Sequence, residues 1–259
     1  MTSILIWKLI KWMALAMWIA GAFKVVDHPS QKHRLQGLYG LLIWGFAGTW
    51  LSGWGLMKSL AFTMKEPWIS WSMLWGLISL SASFGLAFQS MEGWFAKLSR
   101  IAVLGGLLSA MGIMVFKDQP SHWSLVMTGS VIVGAVWSHF ANSFESETNA
   151  DQERSLLIQK GFRHIAWVEG LTVILLFGLY MPLKYAAGIN IDGGTGLLGW
   201  AHGVFVIVYM ITLLFTGKAL SWSFLRIVLG GLASFLPFGT VIFERRVLQT
   251  HSSSAPTKR

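Results

Sequence analysis

Long runs of apolar residues without charges recur along the whole chain, and this feature constrains the fold more than any other. A transmembrane helix needs about 20 consecutive, mainly apolar residues. The 259-residue chain is 54% apolar and 12% charged, with a mean hydropathy of +0.58. We therefore predict an all-α polytopic transmembrane bundle of about eight spans, at residues 4–26, 36–57, 68–90, 99–116, 122–142, 162–183, 195–217 and 222–243.

The fifth candidate span is the weakest, because His122 and His139 stand near its ends. Seven spans are the alternative. The most polar internal stretch follows this span and carries several acidic residues. The sequence thus predicts four parts: an N-terminal bundle of about five helices at 1–142, an acidic exposed linker at 143–160, a three-helix unit at 161–247 and a disordered tail at 248–259.

Charge and cysteine content exclude several classes of protein. The chain has no cysteine, which excludes disulfides, thiolate metal sites and a cysteine nucleophile. Its net charge is +9, but the Lys and Arg residues stand mostly at span ends and in short loops. Such residues anchor helices beside anionic lipid headgroups, so we expect the lipid bilayer, and no nucleic acid, to be the partner.

Orientation follows from the basic residues in short loops. With eight spans both termini lie on one face, and the 20 Lys and Arg residues divide almost equally between the two faces. The count leans slightly toward a cytoplasmic position for the loops after spans one, three, five and seven. The first span lacks a convincing cleavage site, so we read it as an uncleaved helix in a multi-pass protein of the bacterial inner membrane.

Glu169 is the strongest candidate for a functional residue. It lies about two turns inside the sixth span, where a charge is costly and usually faces the bundle interior. Such a carboxyl group can take up a proton or bind a cation. The structural alternative is a carboxyl group satisfied by a serine, a threonine or a basic residue elsewhere in the bundle.

His202 lies about two turns inside the seventh span. Because the sixth and seventh spans run in opposite directions, we expect His202 and Glu169 to differ in depth by roughly 10 Å and not to form a dyad. His202 is expected on one membrane face with Lys184 and Glu244, as a second polar pocket for a ligand or proton. Alternatively, Glu244 terminates the last helix and His202 makes a single interhelical hydrogen bond.

No cofactor or metal site is predicted. His139 and His164 flank one loop and form the alternative, a pair of haem ligands, which requires two neutral imidazoles facing each other across the macrocycle. The sequence contains no phosphate-binding glycine loop and no recognised catalytic motif, so an enzymatic activity is the less favoured reading.

Close-packed small residues indicate helix contacts. Gly105 and Ser109, Gly199 and Gly203, and Gly230 and Ser234 have the required four-residue spacing. Such faces pack helices within one chain, or dock a membrane-protein partner or a second copy of the chain. An accessory subunit of a membrane complex is therefore a further alternative.

From residue 162 to 246 the chain resembles the YdzA-like family, an uncharacterised bacterial family of three-helix integral membrane proteins. The matching words are Phe162-Arg163, Glu169-Gly170, Met181-Pro182-Leu183-Lys184-Tyr185, Gly199-Trp200-Ala201-His202-Gly203, Pro237-Phe238-Gly239-Thr240 and Glu244-Arg245-Arg246. The resemblance implies a membrane-embedded unit and no established reaction. It includes Glu169, His202, Lys184 and Glu244.

The N-terminal half resembles the four-helix membrane group of CopD-type copper proteins and HemJ-type protoporphyrinogen oxidases, through Trp18-Ile19-Ala20-Gly21 and His33-Arg34-Leu35. Two departures stand out: Lys11 occupies a position where that group places histidine, and Ser70 and Ser72 replace a His-x-Lys arrangement. The resemblance implies the scaffold without the haem-binding chemistry.

Taken together, the sequence favours a membrane protein that binds or transports a small solute or proton, with a haem-associated redox protein as an alternative.

Overall fold

The computed structural model describes residues 2–28, 30–60, 66–88, 93–140, 151–185, 187–189, 196–236 and 238–252. Within those ranges every regular element is a helix and no strand occurs. The predicted all-α polytopic bundle is thereby confirmed. The chain divides into two compact units, Met1–Arg154 (unit 1) and Ser155–Arg259 (unit 2), and this division falls inside the predicted linker.

Unit 1 consists of long apolar helices joined by short connections. A π-helical turn, Leu38–Leu42, makes the second and third helices continuous. The helices are α1 (Thr2–Asp27), α2 (Gln31–Gly37), α3 (Ile43–Ser59), α4 (Pro67–Phe88), α5 (Gly93–Val115) and α6 (Trp123–Phe140), the last preceded by a 3₁₀ turn at Pro120–His122.

Two glycines let α1 approach the α2–α3 helix closely. A Cβ atom on Gly45 would lie 2.2 Å from the backbone nitrogen of Trp18, and one on Gly21 would lie 2.5 Å from that of Leu42. No side chain fits at such distances, so the two helices pack backbone to backbone. This is the packing that small residues provide inside membranes, where apolar burial against lipid contributes little.

The serines of α4 serve as structural hydrogen-bond donors. Ser79 donates to the carbonyl oxygen of Val103 in α5 at 2.8 Å, and Ser72 and Ser83 donate to carbonyl oxygens of their own helix. A hydroxyl group that returns its proton to the backbone is satisfied in apolar surroundings. Ser79 therefore joins α4 to α5, and the protons of all three hydroxyl groups are used by the backbone.

Unit 2 begins with one long helix. It runs through α7 (Asp151–Val173), a π-helical segment (Ile174–Tyr180) and α8 (Met181–Tyr185). Pro182 does not end this helix, because the wider π-helical turns before it leave room for a residue that has no N–H group to donate. The remaining helices are α9 (Leu197–Ala219), α10 (Phe224–Ala233) and α11 (Gly239–Ser252).

The predicted eighth span at 222–243 is wrong: the segment folds into a helical hairpin. Helix α10 runs back along α9, since Tyr209 donates to the carbonyl oxygen of Gly230 at 3.0 Å and Gly217 lies against Ile227. Helix α11 then returns along α7, with the Thr240 hydroxyl group donating to the carbonyl oxygen of Ala166 at 3.2 Å. The hairpin enters and leaves at one end of unit 2.

Local hydrogen bonds and one glycine explain why the chain can turn there. The backbone N–H groups of Ser234, Phe235 and Leu236 each donate to the carbonyl oxygen three residues earlier, so the turn satisfies its own donors. A Cβ atom on Gly239 would lie 2.2 Å from the carbonyl oxygen of Ala233, so only glycine fits. Pro237 lies outside the described residues.

Among the described residues, five helices are long and apolar enough to cross a membrane: Ser3–Asp27, Pro67–Phe88, Trp94–Val115, Glu153–Tyr185 and Leu197–Ala219. The second and fifth predicted spans are helical but do not belong to this group. The predicted linker is helical from Asp151 onward, and its residues 143–150 lie outside the described part. Likewise, α11 continues to Ser252, and the rest of the predicted tail is not described.

Candidate functional site

Glu169 is fully buried in the middle of unit 2, with 0% of its surface exposed. Its neighbour Gly170 lies against α11, since a Cβ atom there would be 2.9 Å from Val241 and 3.0 Å from Thr240. Helix α7 therefore presents Glu169 close to the start of α11. Among the described residues, neither carboxyl oxygen of Glu169 accepts a hydrogen bond.

The hydroxyl groups around Glu169 have already donated their protons to backbone oxygens. The hydroxyl group of Thr240 lies beside the carboxyl group but donates to Ala166. Thr172, one turn along α7, donates to the carbonyl oxygen of Glu169 itself at 2.7 Å. A hydroxyl group has a single proton, so these groups can only accept a further hydrogen bond. Such surroundings suit a protonated carboxyl group or a bound cation better than a bare carboxylate.

His202 is connected to this site through Thr172. Its Nδ1 atom lies 3.2 Å from the Thr172 hydroxyl oxygen, whose proton is donated to Glu169. Because that proton is already used, a donor at Nδ1 of the histidine fits this contact. Thr172 is only three residues, or about 4.5 Å along the helix, from Glu169. A threonine therefore separates the two side chains, and Glu169 and His202 do not form a direct pair.

Glu244 pairs with Arg163 and not with the predicted partners. Its Oε1 atom accepts a hydrogen bond from Nε of Arg163 at 2.7 Å, and only 1% of the Glu244 side chain is exposed. Because α10 and α11 form a hairpin, Glu244 returns to the end of unit 2 where α7 enters the apolar layer. The predicted pocket of His202, Lys184 and Glu244 is therefore wrong as an assembly.

Lys184 lies at the far end of the long helix, 21 residues beyond Arg163 in sequence. Its Nζ atom lies 3.5 Å from the Tyr180 hydroxyl oxygen, 5.4 Å from the centre of the Tyr180 ring and 5.5 Å from that of Tyr185. A lysine held against two aromatic rings is typical of a helix end at the membrane interface.

A cluster of aromatic rings packs beside the Arg163–Glu244 pair, since Phe162 and Phe243 are the sequence neighbours of these two residues. Phe162 contacts Tyr209 and Trp222 with ring centres 5.8 Å and 5.6 Å apart, and Trp222 contacts Phe243 at 5.9 Å. All four rings come from different helices or from the loop before α10. They close the bundle on the side of Glu169 opposite His202.

The two predicted haem ligands belong to different units. His139 is exposed on α6 of unit 1, and His164 is exposed on α7 of unit 2. In the described part of the chain, no group of three or more His, Asp or Glu side chains is placed to hold a metal ion. Haem ligation by His139 and His164 stays a prediction.

Sequence reasoning missed Thr172, Thr240 and the partnership of Arg163 with Glu244. Thr172 carried a signal, since it lies three residues from Glu169 and one helical turn places both on one face. The contacts of Thr240 and Arg163 depend on the return of α11, which the continuous apolar pattern of residues 222–243 concealed.

These observations define a class, a polytopic α-helical membrane protein whose C-terminal unit buries a carboxyl group within the apolar run of a long helix. Residues 159–249 match the family described as a domain of unknown function (DUF3817). The chain is also 30% identical over 83 residues to the Bacillus subtilis (strain 168) protein called "Uncharacterized membrane protein YdzA". The matched segment covers 32% of this chain and 84% of that relative. The chain belongs to this YdzA-like membrane family.

The predicted resemblance of residues 162–246 is thereby confirmed. The match lies within unit 2 and contains both Glu169 and the hairpin. No solved structure matches the chain. The resemblance of the N-terminal half to the CopD and HemJ group stays a prediction.

Proposed function

We propose that this protein binds a proton at Glu169 and moves it, alone or with a small solute, within the membrane-embedded core of unit 2. The observation that carries the proposal is the complete burial of Glu169 without a donor among the described residues. An unpaired carboxylate in apolar surroundings is costly, and such groups neutralise by taking a proton. Thr240 then accepts the hydrogen bond of the protonated acid.

The nearest basic candidate in sequence does not neutralise Glu169. Arg163 uses its Nε atom on Glu244, at 2.7 Å. A small cation bound by the carboxylate and the threonine oxygens is the second form of the same proposal, favoured by the same hydroxyl groups.

Access to Glu169 runs from the side of His202 and Lys184. Thr172 and the half-buried His202 form a polar connection on that side, whereas four aromatic rings block the other. At the blocked end, unit 2 carries six of its described basic residues, against Lys184 at the other end. By the positive-inside rule the blocked end faces the cytoplasm, so proton uptake starts from the outside of a bacterial inner membrane.

The test compares Glu169→Gln with Glu244→Gln in purified full-length protein. Glu244 is the matched control, because it is an equally buried carboxyl group that has a basic partner. Infrared difference spectroscopy detects the carbonyl stretch of a protonated carboxyl group. We expect this band in the wild type and in Glu244→Gln, and its loss in Glu169→Gln.

Proton uptake by proteoliposomes under an imposed gradient gives the functional readout. We expect Glu169→Gln to fall to the level of empty liposomes while its thermal unfolding matches the wild type. Unchanged uptake in folded Glu169→Gln protein overturns the proposal. Loss of folding in Glu169→Gln, with the carbonyl band absent from the wild type, assigns Glu169 a structural role instead.

A further inference from the structure

The end of unit 2 that contains Arg163 concentrates positive charge. Because the α10–α11 hairpin turns back, the basic residues of α11 join those of α7, α9 and α10 at this end. They are Lys160, Arg163, Lys218, Arg226, Arg245 and Arg246. The acidic residue placed among them, Glu244, is buried and already engaged by Arg163. The surface therefore keeps a strong positive excess.

One of these cations lies over an exposed tryptophan, and two others share a face of α7 with that tryptophan. The guanidinium group of Arg245 lies 5.4 Å from the centre of the Trp167 ring, and 45% of Trp167 is exposed. Arg163 lies one turn before Trp167 on α7, and Lys160 lies almost one further turn away. Arg163 is 54% exposed although its Nε atom is fixed by Glu244, so its guanidinium group is held in position at the surface.

The depth of this group is that of phospholipid headgroups. The apolar run of α7 starts at Ile165, directly after Arg163 and His164, and continues to Leu183 with Glu169 as its one charged residue. Trp167 thus lies just inside the apolar layer, where tryptophan is enriched. Ile242, one turn from Arg245 toward the hairpin tip, is 51% exposed and offers an apolar surface beside the cations.

We propose that Lys160, Arg163, Arg245 and Trp167 form a binding site for the headgroup of an anionic phospholipid. The phosphate accepts hydrogen bonds from the guanidinium groups of Arg163 and Arg245, and Lys160 contributes charge. Trp167 packs against the glycerol region, and an acyl chain follows Ile242. Basic pockets between transmembrane helices bind anionic headgroups in this manner. The site is independent of proton binding at Glu169.

The experiment measures retained lipid by native mass spectrometry on full-length protein exchanged into mixtures of phosphatidylglycerol and phosphatidylcholine. The variants are Arg245→Gln and Lys160→Gln, which leave the Arg163 to Glu244 contact intact. Lys184→Gln is the matched control, because Lys184 is also a cation held over aromatic rings but lies at the opposite end. Arg245→Lys tests whether charge alone suffices.

We expect the wild type and Lys184→Gln to retain phosphatidylglycerol in preference to phosphatidylcholine. Each of Arg245→Gln and Lys160→Gln should lower this preference about fivefold, the effect of one basic residue at a charged lipid surface. Arg245→Lys should recover most of it. Equal retention of the two lipids by the wild type overturns the proposal, as does an equal loss in Lys184→Gln. Full displacement of the lipid by inorganic phosphate also overturns it, because the site would then select free phosphate.

Discussion

Among the described residues, the buried charged side chains of unit 1 are arginines, whereas those of unit 2 are glutamates. In unit 1 the hydroxyl groups of Ser72, Ser79 and Ser83 donate to backbone carbonyl oxygens, and the buried Arg34 donates to the carbonyl oxygen of His28 beyond the end of α1. In unit 2 the buried Glu169 lies within the apolar run of the long helix without a described donor. A buried hydroxyl group whose hydrogen bond is satisfied by the backbone has a structural role, whereas a buried acid without a described donor is a candidate for chemistry.

The units also differ in how their helices approach one another. Unit 1 uses Gly21 and Gly45 to bring two long helices together backbone to backbone. Unit 2 uses Gly239 to turn the chain back after the ten residues of α10. That turn brings α11 to Glu169 and Glu244 to Arg163, so the candidate site depends on the hairpin.

The largest effect is expected from Gly239→Ala. The added methyl group would overlap the carbonyl oxygen of Ala233, and backbone cannot move away as a side chain can. We expect a loss of about 3 kcal/mol in the free energy of unfolding of unit 2, since overpacking against fixed atoms is destabilising. Denaturant unfolding in detergent micelles measures this change.

Gly203→Ala is the matched control, because a methyl group at Gly203 in α9 meets no atom within 4 Å. It should leave the midpoint unchanged or raise it slightly, since alanine favours helix. Equal midpoints for Gly239→Ala and the wild type would show that the turn after α10 does not have this geometry.

A smaller effect is expected from the ion pair of unit 2. Arg163→Gln leaves the buried Glu244 without its cation and should cost about 2 kcal/mol, less than for a fully buried pair because Arg163 is half exposed. Glu244→Gln leaves Arg163 as a cation that water can solvate. It should therefore lower the free energy of unfolding by less than Arg163→Gln does. Unfolding at low and high salt measures both variants.

The exposed pair of Lys32 and Glu153 in unit 1 gives the comparison. Its atoms lie 2.6 Å apart, but the two side chains are 42% and 56% exposed. Lys32→Gln should therefore lower the free energy of unfolding by less than about 1 kcal/mol, and this effect should disappear in high salt. If Lys32→Gln lowers the free energy of unfolding as much as Arg163→Gln does, the two ion pairs do not differ in strength as expected.

The smallest effect is expected from single interhelical hydrogen bonds. Ser79→Ala removes the donor to Val103 in unit 1, and Thr240→Val removes the donor to Ala166 in unit 2. Each should cost about 1 kcal/mol. Thr240→Val should also alter the infrared carbonyl band of Glu169, because the acid loses its acceptor, and Ser79→Ala should not.

Much of the fold could be predicted from the sequence, because apolar runs of membrane length have few alternatives. The helices α1, α4, α5 and α9 begin and end within a few residues of the predicted spans, apart from the start of α5. The prediction of an eighth span was wrong for a physical reason. Its apolar pattern continues through the turn, where Phe238 adopts a positive φ of 64° that no sequence rule assigns to phenylalanine.

The candidate site could be predicted only in part. The burial of Glu169 followed from its depth in an apolar run, which depends on local sequence alone. Predicting the partners of Glu244 and His202 required knowing which helix ends share a membrane face. The misplaced eighth span put the end of α11 on the wrong face. Arg163 was therefore assigned to the face opposite its partner.

The return of α11 is the claim on which the account depends, and cysteine accessibility tests it most directly. The natural chain has no cysteine, so single cysteines at Lys184, Lys218 and Arg246 can be labelled without background. A membrane-impermeant maleimide is added to intact and to permeabilised cells. We predict that Arg246→Cys and Lys218→Cys are labelled from the same side of the membrane. Lys184→Cys should be labelled from the opposite side. Labelling of Arg246→Cys on the side of Lys184→Cys would show that the last segment crosses the membrane and would contradict the account.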